Sequence, residues 1–457
     1  MLGSDIAGVL LVGIIALLFF VVYKIAKSFI SKNDVFNYER DYKRATSKPS
    51  YKYGSDAEEG VYIGVSSNKK SVFIPSNAKH VFVCGTTGSG KTVALSNFIK
   101  AGSKYDYPLL IIDGKGDTDE GSLLDIVQTI CPERKIYVVN FNEPETSDRY
   151  NPFKNTSTDV IKDMLINMTN WSEEHYKYNT ERYLQRLLKL LAMEGIELSL
   201  ETLTSYLPVD NFNKLSKDLS VKELITKAER IEDSELAKIS GKIAESAAAR
   251  FATIKESNLG QVFEASGIDI YTALEENAVI LFILNPLLYP EMSPLIGNLI
   301  VIDSKKAVSK FFEHKKKRIF YILDEINVYA SASLLDLVNK SRSANITCIL
   351  ATQSLSDLDA VSPQFKEQII ENCNNYIALR QNSSVNAEHW ASVFGTRETM
   401  QATYQIKEGE STELGSLRKT REFIYHPDDI KMLRSGTAIF LSRDKMIHTK
   451  VSINKPF

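Results

Sequence analysis

The chain has 457 residues, of which 44% are hydrophobic and 25% charged, and these proportions exclude a disordered or fibrous protein. Its 55 basic and 57 acidic residues leave a formal net charge of −2, so overall charge gives no sign of nucleic-acid binding and any DNA contact would have to be local. The four cysteines lie far apart without a CxxC pair, which predicts reduced thiols in a cytosolic body.

The N-terminal region predicts a membrane anchor. Residues 6–23 are apolar and uncharged, close to the shortest length that spans a bilayer. Asp5 precedes this run and lysines follow it, so the charge bias places the C-terminal body in the cytoplasm. We therefore predict a single-pass transmembrane helix within residues 1–30 and a polar juxtamembrane linker over residues 31–59.

After the linker, the chain alternates between strand and helix patterns. A pair of short strands is predicted at 61–65 and 71–74. Later apolar runs lack period-two alternation, which is typical of a parallel sheet that is buried on both faces. These strands are expected at 81–84, 109–113, 136–141, 278–284, 319–324, 346–351, 376–379 and 437–441.

Residues 152–264 show helical patterns instead of strands. A helix over 173–194 would carry Tyr183 and several leucines on one face, and residues 233–263 are long and rich in alanine. The spacing from Ser220 to Glu223 is that of a capping box, which predicts the start of another helix there. We predict an all-helical domain that is inserted into an α/β domain.

Residues 85–92, GTTGSGKT, have the pattern of a phosphate-binding loop between a strand and a helix. Amide groups at a helix start favour negative charge, and the glycines let the backbone approach a phosphate. Lys91 would contact the β- and γ-phosphates, and the Thr92 hydroxyl would hold Mg²⁺. The predicted nucleotide-binding residues are Gly85, Thr86, Thr87, Gly88, Ser89, Gly90, Lys91 and Thr92. The nucleotide-binding domain is therefore predicted in two parts, 60–151 and 265–457.

The strand at 319–324 ends in two acids, Asp324 and Glu325. Asp324 is predicted to bind Mg²⁺, and Glu325 to orient and polarise the attacking water. Such a strand ending is weak evidence alone, since many buried strands end in acids. Together with the phosphate-binding loop it predicts hydrolysis of a nucleoside triphosphate.

Four further features follow or precede strands. Gln353 is positioned to contact the γ-phosphate or the lytic water, although a simple strand-end turn explains it equally well. Arg342 is a candidate arginine finger for a neighbouring subunit, and Arg380 is a second one. The turn at 113–117, DGKGD, lies where open α/β sheets bind ligands, so it is either part of the site or a subunit contact, or a plain turn.

The order of these motifs resembles the type IV secretion coupling proteins, the TraG/TraD branch of the FtsK/HerA-like ATPases. The motifs in order are one anchor, a strand pair, GTTGSGKT (85–92), IIDGKGD (111–117), YNPF (150–153), a helical insertion, YILDE (321–325) and ILATQS (349–354). The resemblance covers about residues 60–457 and implies a RecA-like P-loop NTPase domain with ATP and Mg²⁺ as cofactors.

The resemblance also implies an assembly and a cargo. It implies a ring, usually a homo-hexamer, at the inner membrane, with ATP between subunits and Lys91, Glu325, Gln353 and a trans-acting Arg342 as catalytic residues. Single-stranded DNA would be the cargo, delivered by a relaxase complex to the secretion channel proteins, with the helical domain contacting DNA and accessory proteins. Many members have two transmembrane helices, whereas we expect one here, and we expect no long acidic tail after Phe457. The alternatives are an FtsK-type duplex translocase and a membrane docking protein that binds nucleotide without turnover.

Overall fold

The structure is a computed structural model that describes residues 20–24, 60–75, 78–168, 171, 173–313, 318–407 and 410–457. The chain divides into two compact units, of which the larger comprises Glu58–Val393 and Pro427–Phe457 and the smaller includes Phe394–His426. Among the described residues, no helix combines the length and the apolar character that a membrane crossing requires. Apart from residues 20–24, the predicted anchor and linker lie outside the described residues.

Thirteen strands are described, of which β10 and β11 belong to the smaller unit. Their bounds are β1 (Gly60–Ser66), β2 (Ser71–Pro75), β3 (Val81–Cys84), β4 (Leu109–Asp113), β5 (Ile136–Asn140), β6 (Val279–Ile283), β7 (Ile319–Asp324), β8 (Ile346–Thr352), β9 (Asn375–Ala378), β10 (Thr396–Lys407), β11 (Glu410–Phe423), β12 (Thr437–Ser442) and β13 (Ile447–Ile453).

The larger unit is built on an eleven-stranded sheet with the order β2-β1-β13-β12-β9-β3-β8-β7-β4-β6-β5. The strands from β9 to β5 in this order run parallel, whereas β12, β13, β1 and β2 pair antiparallel at one side. The prediction of a buried parallel sheet is confirmed from β9 to β5. The strand predicted at 437–441, β12, instead pairs antiparallel with β9 and β13, and β13 itself was not predicted. One strand, β8, separates the strand before the phosphate-binding loop from the strand that ends in the acids.

Helices cover both faces of the sheet and fill the segment between β5 and β6. The α-helices are α1 (Lys91–Lys104), α2 (Leu123–Ile130), α3 (Thr158–Asn167), α4 (Glu174–Glu194), α5 (Leu200–Tyr206), α6 (Val209–Val221), α7 (Lys227–Leu236), α8 (Lys242–Glu256), α9 (Ile270–Glu275), α10 (Met292–Glu313), α11 (Ala332–Ser341), α12 (Leu355–Val361), α13 (Pro363–Asn372), α14 (Ser384–Phe394) and α15 (Pro427–Lys431). A π-helical turn, Ala237–Gly241, joins α7 to α8.

The core lies between α1 and the centre of the sheet. Phe98 of α1 packs edge-on against Phe320 of β7, with ring centroids 6.3 Å apart, and both side chains are buried. Such aromatic pairs add to the free energy gained from apolar burial. The first helix after the phosphate-binding loop is therefore fixed against the strand that carries the acids.

The predicted capping box at Ser220 is wrong. Ser220 lies in the last turn of α6, and Glu223 beyond it adopts a left-handed conformation with φ 60°. The capping box is formed by Thr226 and Glu229 at the start of α7, where the Thr226 hydroxyl accepts from the Glu229 amide at 3.1 Å and the Glu229 carboxylate from the Thr226 amide at 2.9 Å. Spacing alone did not distinguish a helix end from the next helix start.

The chain enters and leaves the helical segment along two adjacent connections. The Tyr150 amide donates to the Val262 carbonyl at 2.8 Å, and the Ile268 amide donates to the Arg149 carbonyl at 2.9 Å. The side-chain amide of Asn151 donates to the carbonyls of Leu198 and Ala265, each at 3.0 Å. The YNPF motif therefore ties both connections to the helical segment.

The smaller unit contains a long antiparallel hairpin of β10 and β11. The sequence analysis missed it because its strands carry few large apolar side chains, so hydrophobic periodicity gives little signal there. Polar residues occupy facing positions instead, as with Thr399 and Thr420, whose hydroxyls lie 3.3 Å apart.

A buried ion pair on α10 fastens the YNPF segment to that helix. Lys306 lies 2.7 Å from Asp303 and donates to the Pro152 carbonyl at 2.9 Å. The Tyr150 hydroxyl donates to the other Asp303 oxygen at 2.8 Å. Both charged side chains are almost fully buried. The attraction between them offsets the free energy of hydration that each loses on leaving water.

We expect Lys306→Met to lower the free energy of unfolding by about 3–5 kcal/mol, because it leaves the Asp303 carboxylate buried without a cation. The adjacent variant Lys305→Met is the control, since Lys305 pairs with Asp336 at a partly exposed position and should cost less than about 1 kcal/mol. Urea unfolding measures both, and equal costs would contradict the importance of the buried pair.

Candidate nucleotide-binding site

The predicted phosphate-binding loop has the conformation of an anion-binding turn. It leaves β3 at Cys84 and enters α1 at Lys91, with Gly88 (φ 73°) and Gly90 (φ 106°) in left-handed conformations that favour glycine. No described atom lies within 4 Å of the position a Cβ would take at Gly88, so the loop tip faces open space. Gly90 caps α1 without a side chain, which leaves the amide groups of the first turn directed toward the loop.

Backbone contacts from distant parts of the chain hold this loop. The Thr86 amide donates to the Arg380 carbonyl after β9 at 3.1 Å. From the other side, the Gly436 amide donates to the Ser89 carbonyl at 2.8 Å, and the Ser435 hydroxyl to the Gly88 carbonyl at 2.7 Å. The turn before β12 is thus part of the site, and the sequence analysis missed it because a Ser-Gly pair carries no functional signature.

Lys91 contacts both predicted acids, Asp324 and Glu325. Its Nζ lies 2.9 Å from Asp324 Oδ1 and is also paired with Glu325. All three side chains are buried, with exposed fractions of 9%, 2% and 5%. Burial opposes the charge of Lys91, but the two carboxylates outweigh it and raise the pKa of Lys91, so the lysine remains a cation.

Gln353 connects the loop to the acids. The Thr87 hydroxyl donates to Gln353 Oε1 at 3.1 Å, and the Gln353 side chain also hydrogen-bonds the Glu325 carboxylate. Gln353 follows β8, the strand between β3 and β7, so the sheet order itself places the amide between the loop and the acids. Four of the predicted residues therefore gather with the loop: Lys91, Asp324, Glu325 and Gln353.

The turn after β4 lies against the acid pair. Asp113 is the register partner of Asp324, and its Oδ1 accepts from the amides of Lys115 at 2.8 Å and Gly116 at 3.1 Å. The Gly114 amide donates to the Asp324 carbonyl at 3.3 Å. Burial and the neighbouring Asp324 raise the pKa of Asp113 to about 7. This turn is in contact with the site within one subunit.

Arg342 lies away from this group. It forms the start of a 3₁₀ turn before β8, at the amino end of the strand, whereas Gln353 follows the carboxyl end. Its guanidinium is exposed and lies close enough to His80, just before β3, to help burial lower the pKa of that histidine to about 4. Arg342 is thus at the opposite edge of the sheet from the loop of its own subunit.

The residues present suit a nucleoside triphosphate with Mg²⁺. The Asp324 carboxylate and the Thr92 hydroxyl in the first turn of α1 are oxygen ligands of the type Mg²⁺ prefers. The lysine and the helix amides supply positive charge, and the open space at the loop tip gives access. The exposed fraction of Gln353 is intermediate, so its amide is accessible from the same side.

The raised pKa of Asp113 predicts how this residue changes the free energy of unfolding with pH. Its pKa in the folded protein is about 7, above the ordinary 3.8, so between these values the folded state binds more protons than the unfolded state. The contribution of Asp113 to the free energy of unfolding should therefore fall as pH rises through this window. We expect Asp113→Asn to flatten this dependence and to be more stable than wild type at pH 8 by roughly 2–4 kcal/mol.

Urea unfolding from pH 4 to pH 8, without Mg²⁺ or nucleotide, measures this difference. Glu120→Gln, at an exposed position shortly after the same turn, is the control and should leave the pH profile unchanged. Parallel profiles for wild type and Asp113→Asn would contradict the interpretation.

The chain is similar to known coupling proteins. The model of the family described as type IV secretion-system coupling protein DNA-binding domain matches residues 69–454. The bacterial conjugative coupling protein TrwBdeltaN70 has a TM-score of 0.63 at 17% identity, over 91% of each chain. The plasmid coupling protein TrwB in complex with ADP and Mg²⁺ has a TM-score of 0.61 at 18% identity, over 91% of this chain and 92% of that one.

A relative in Mycoplasma pneumoniae, an uncharacterized protein, is 31% identical over 101 residues, which are 22% of this chain and 67% of that protein. At their low identities, the TrwB structures establish a shared fold. The family match spans most of the sequence and confirms the resemblance that the motifs predicted. The chain therefore belongs to the type IV secretion-system coupling protein family.

Proposed function

We propose that the protein is a membrane-anchored ring ATPase that couples ATP hydrolysis to the transfer of single-stranded DNA into a type IV secretion channel. The observation that carries this proposal is the contact of Lys91 with Asp324 and Glu325 beside a phosphate-binding loop. Membership of the coupling protein family supports the DNA substrate. TrwB, which shares the fold, has been solved with ADP and Mg²⁺.

Each residue of the group has a role in this reaction. Lys91 and the amides of the first turn of α1 bind the β- and γ-phosphates, and Asp324 with Thr92 holds Mg²⁺. When bound, the ion withdraws charge from the phosphate oxygens. Glu325 orients and polarises the attacking water, and Gln353, between Thr87 and Glu325, contacts the γ-phosphate or that water.

The position of Arg342 supports an assembly of several subunits. Because Arg342 is exposed at the far edge of its own sheet, a catalytic role requires that it reach the nucleotide of a neighbour. We propose a homo-hexameric ring with ATP between subunits. Arg380, whose carbonyl bonds the loop of its own subunit, is the less suitable candidate for a trans-acting arginine.

Each segment of the chain has its own role in this proposal. Residues 1–30 anchor the protein in the inner membrane, residues 31–59 link the anchor to the cytoplasmic body, and residues 60–151 and 265–457 form the motor. The helical domain, residues 152–264, contacts DNA and the relaxase complex. The described helices of this segment run from α3 to α8.

The experiment that tests this function is ATP hydrolysis by the full chain in detergent, with and without DNA. We expect single-stranded DNA to stimulate turnover, Glu325→Gln to lower kcat by at least about a hundredfold while ATP still binds, and Lys91→Ala to lose both. Lys100→Ala, at an exposed position of the same helix, is the matched control and should behave as wild type.

The outcomes separate the candidate functions. Stimulation by duplex rather than single-stranded DNA would favour an FtsK-type translocase. Nucleotide binding without turnover in the wild-type protein would indicate a docking protein. Unchanged turnover in Lys91→Ala would remove the loop from the reaction altogether.

The proposed shared site makes a second prediction. We expect Arg342→Ala and Glu325→Gln to be nearly inactive alone and to recover part of the activity when mixed. In mixed rings, an intact Glu325 of one subunit then faces an intact Arg342 of the next. The DNA-stimulated rate of the mixture measures the recovery.

Lys340→Ala is the control for this experiment, since Lys340 is an exposed cation two residues from Arg342. It should hydrolyse ATP at the wild-type rate without mixing. Absence of recovery in a mixture that forms mixed rings would show that Arg342 does not act across subunits.

A further inference from the structure

Tyr329 lies in the turn after β7, directly beneath the acid pair. It is fully buried, and its hydroxyl donates a hydrogen bond to the Asp324 carbonyl at 2.9 Å. The charges of Asp324, Asp113 and Glu325 all act on this hydroxyl and, after burial, help to raise its pKa. No motif in the sequence distinguishes this tyrosine from a core residue.

The peptide bond between Asp324 and Glu325 is held on both sides. Its carbonyl oxygen accepts from the Tyr329 hydroxyl and, at 3.3 Å, from the Gly114 amide. Its N–H, on Glu325, donates to Asp324 Oδ1 at 3.0 Å. Rotation of this peptide would break these bonds together, so they fix the plane from which the Glu325 side chain projects.

Glu325 needs such support because its backbone is strained. Its φ of 49° lies in the left-handed region that residues with a side chain rarely adopt. Strained conformations persist where the surroundings determine them, and they cluster at functional sites. Here the strain directs the carboxylate back to Lys91 and Gln353 rather than along the strand.

The ring of Tyr329 is itself closely packed. A Cβ added at Gly297 of α10 would lie 2.6 Å from the Tyr329 Cβ, so only a glycine allows the helix to approach this closely. Burial and the surrounding acids raise the pKa of the Tyr329 hydroxyl well above its ordinary value. The hydroxyl is therefore protonated at neutral pH and can donate its hydrogen bond.

We propose that Tyr329 is a positioning residue, which holds the Asp324–Glu325 peptide and thereby aims the Glu325 carboxylate at the attacking water. This role rests on the proposed ATP hydrolysis. Tyr329 acts through the backbone of the acids, since its hydroxyl bonds the Asp324 carbonyl. Its loss should therefore slow the chemical step and leave nucleotide binding nearly intact.

The test is Tyr329→Phe in the full chain, which removes the hydroxyl and keeps the ring. We expect kcat for ATP to fall about fivefold to tenfold, as expected for one lost hydrogen bond that aims a catalytic group, with KM and ATP affinity changed less than about twofold. Tyr183→Phe is the matched control, because Tyr183 is also buried and its hydroxyl also donates to a carbonyl at 2.9 Å, that of Leu207 in the helical segment.

Gly297→Ala provides a second variant that keeps the hydroxyl and displaces the ring, and it should lower kcat in the same way. A kcat for Tyr329→Phe within twofold of wild type, or an equal loss in Tyr183→Phe, would overturn the positioning role alone. A wild-type protein that does not hydrolyse ATP would overturn the proposed function, and the role of Tyr329 with it.

Discussion

The buried contact of Lys91 with Asp324 and Glu325 is the interaction on which the site depends. Three charges removed from water are stable only if they face one another, because each would lose far more hydration energy alone. The parallel sheet makes this possible. It brings the carboxyl ends of β3 and β7 to one edge, with β8 between them to supply Gln353. Sheet order, rather than any local sequence, sets the distance between the loop and the acids.

Segments that are distant in sequence hold the phosphate-binding loop and the acids at this edge of the sheet. The Arg380 carbonyl holds one side of the loop and the Ser435–Gly436 turn holds the other, while the turn after β4 touches the acids. A loop that is rich in glycine loses much conformational entropy when it becomes ordered, and these contacts offset part of that cost. The loop amides are thus held in place before any phosphate arrives, which favours binding by preorganisation.

Much of the sheet and its nucleotide-binding edge was predictable. The strands are buried on both faces, so each is an uninterrupted apolar run in the sequence. The loop, the acids and Gln353 were found because each ends such a run. The hairpin of β10 and β11, the Ser435–Gly436 turn and Tyr329 were not found, for different physical reasons. The hairpin has little apolar periodicity, and the other two act through backbone bonds that only the folded chain reveals. The prediction of a helix start at Ser220 was wrong because the same residue spacing also occurs at the end of a helix.

Glu325 has an unfavourable backbone conformation that contacts with the rest of the fold stabilise. Its left-handed backbone is unfavourable in isolation, and it persists because Gly114, Tyr329 and the Asp324 carboxylate hold the preceding peptide. Helix α10, which packs on Tyr329 through Gly297, also carries the Lys306–Asp303 pair at the entry to the helical segment. Tyr329 and that entry therefore pack against the same helix, where a closely packed interior leaves little room for either contact to shift alone.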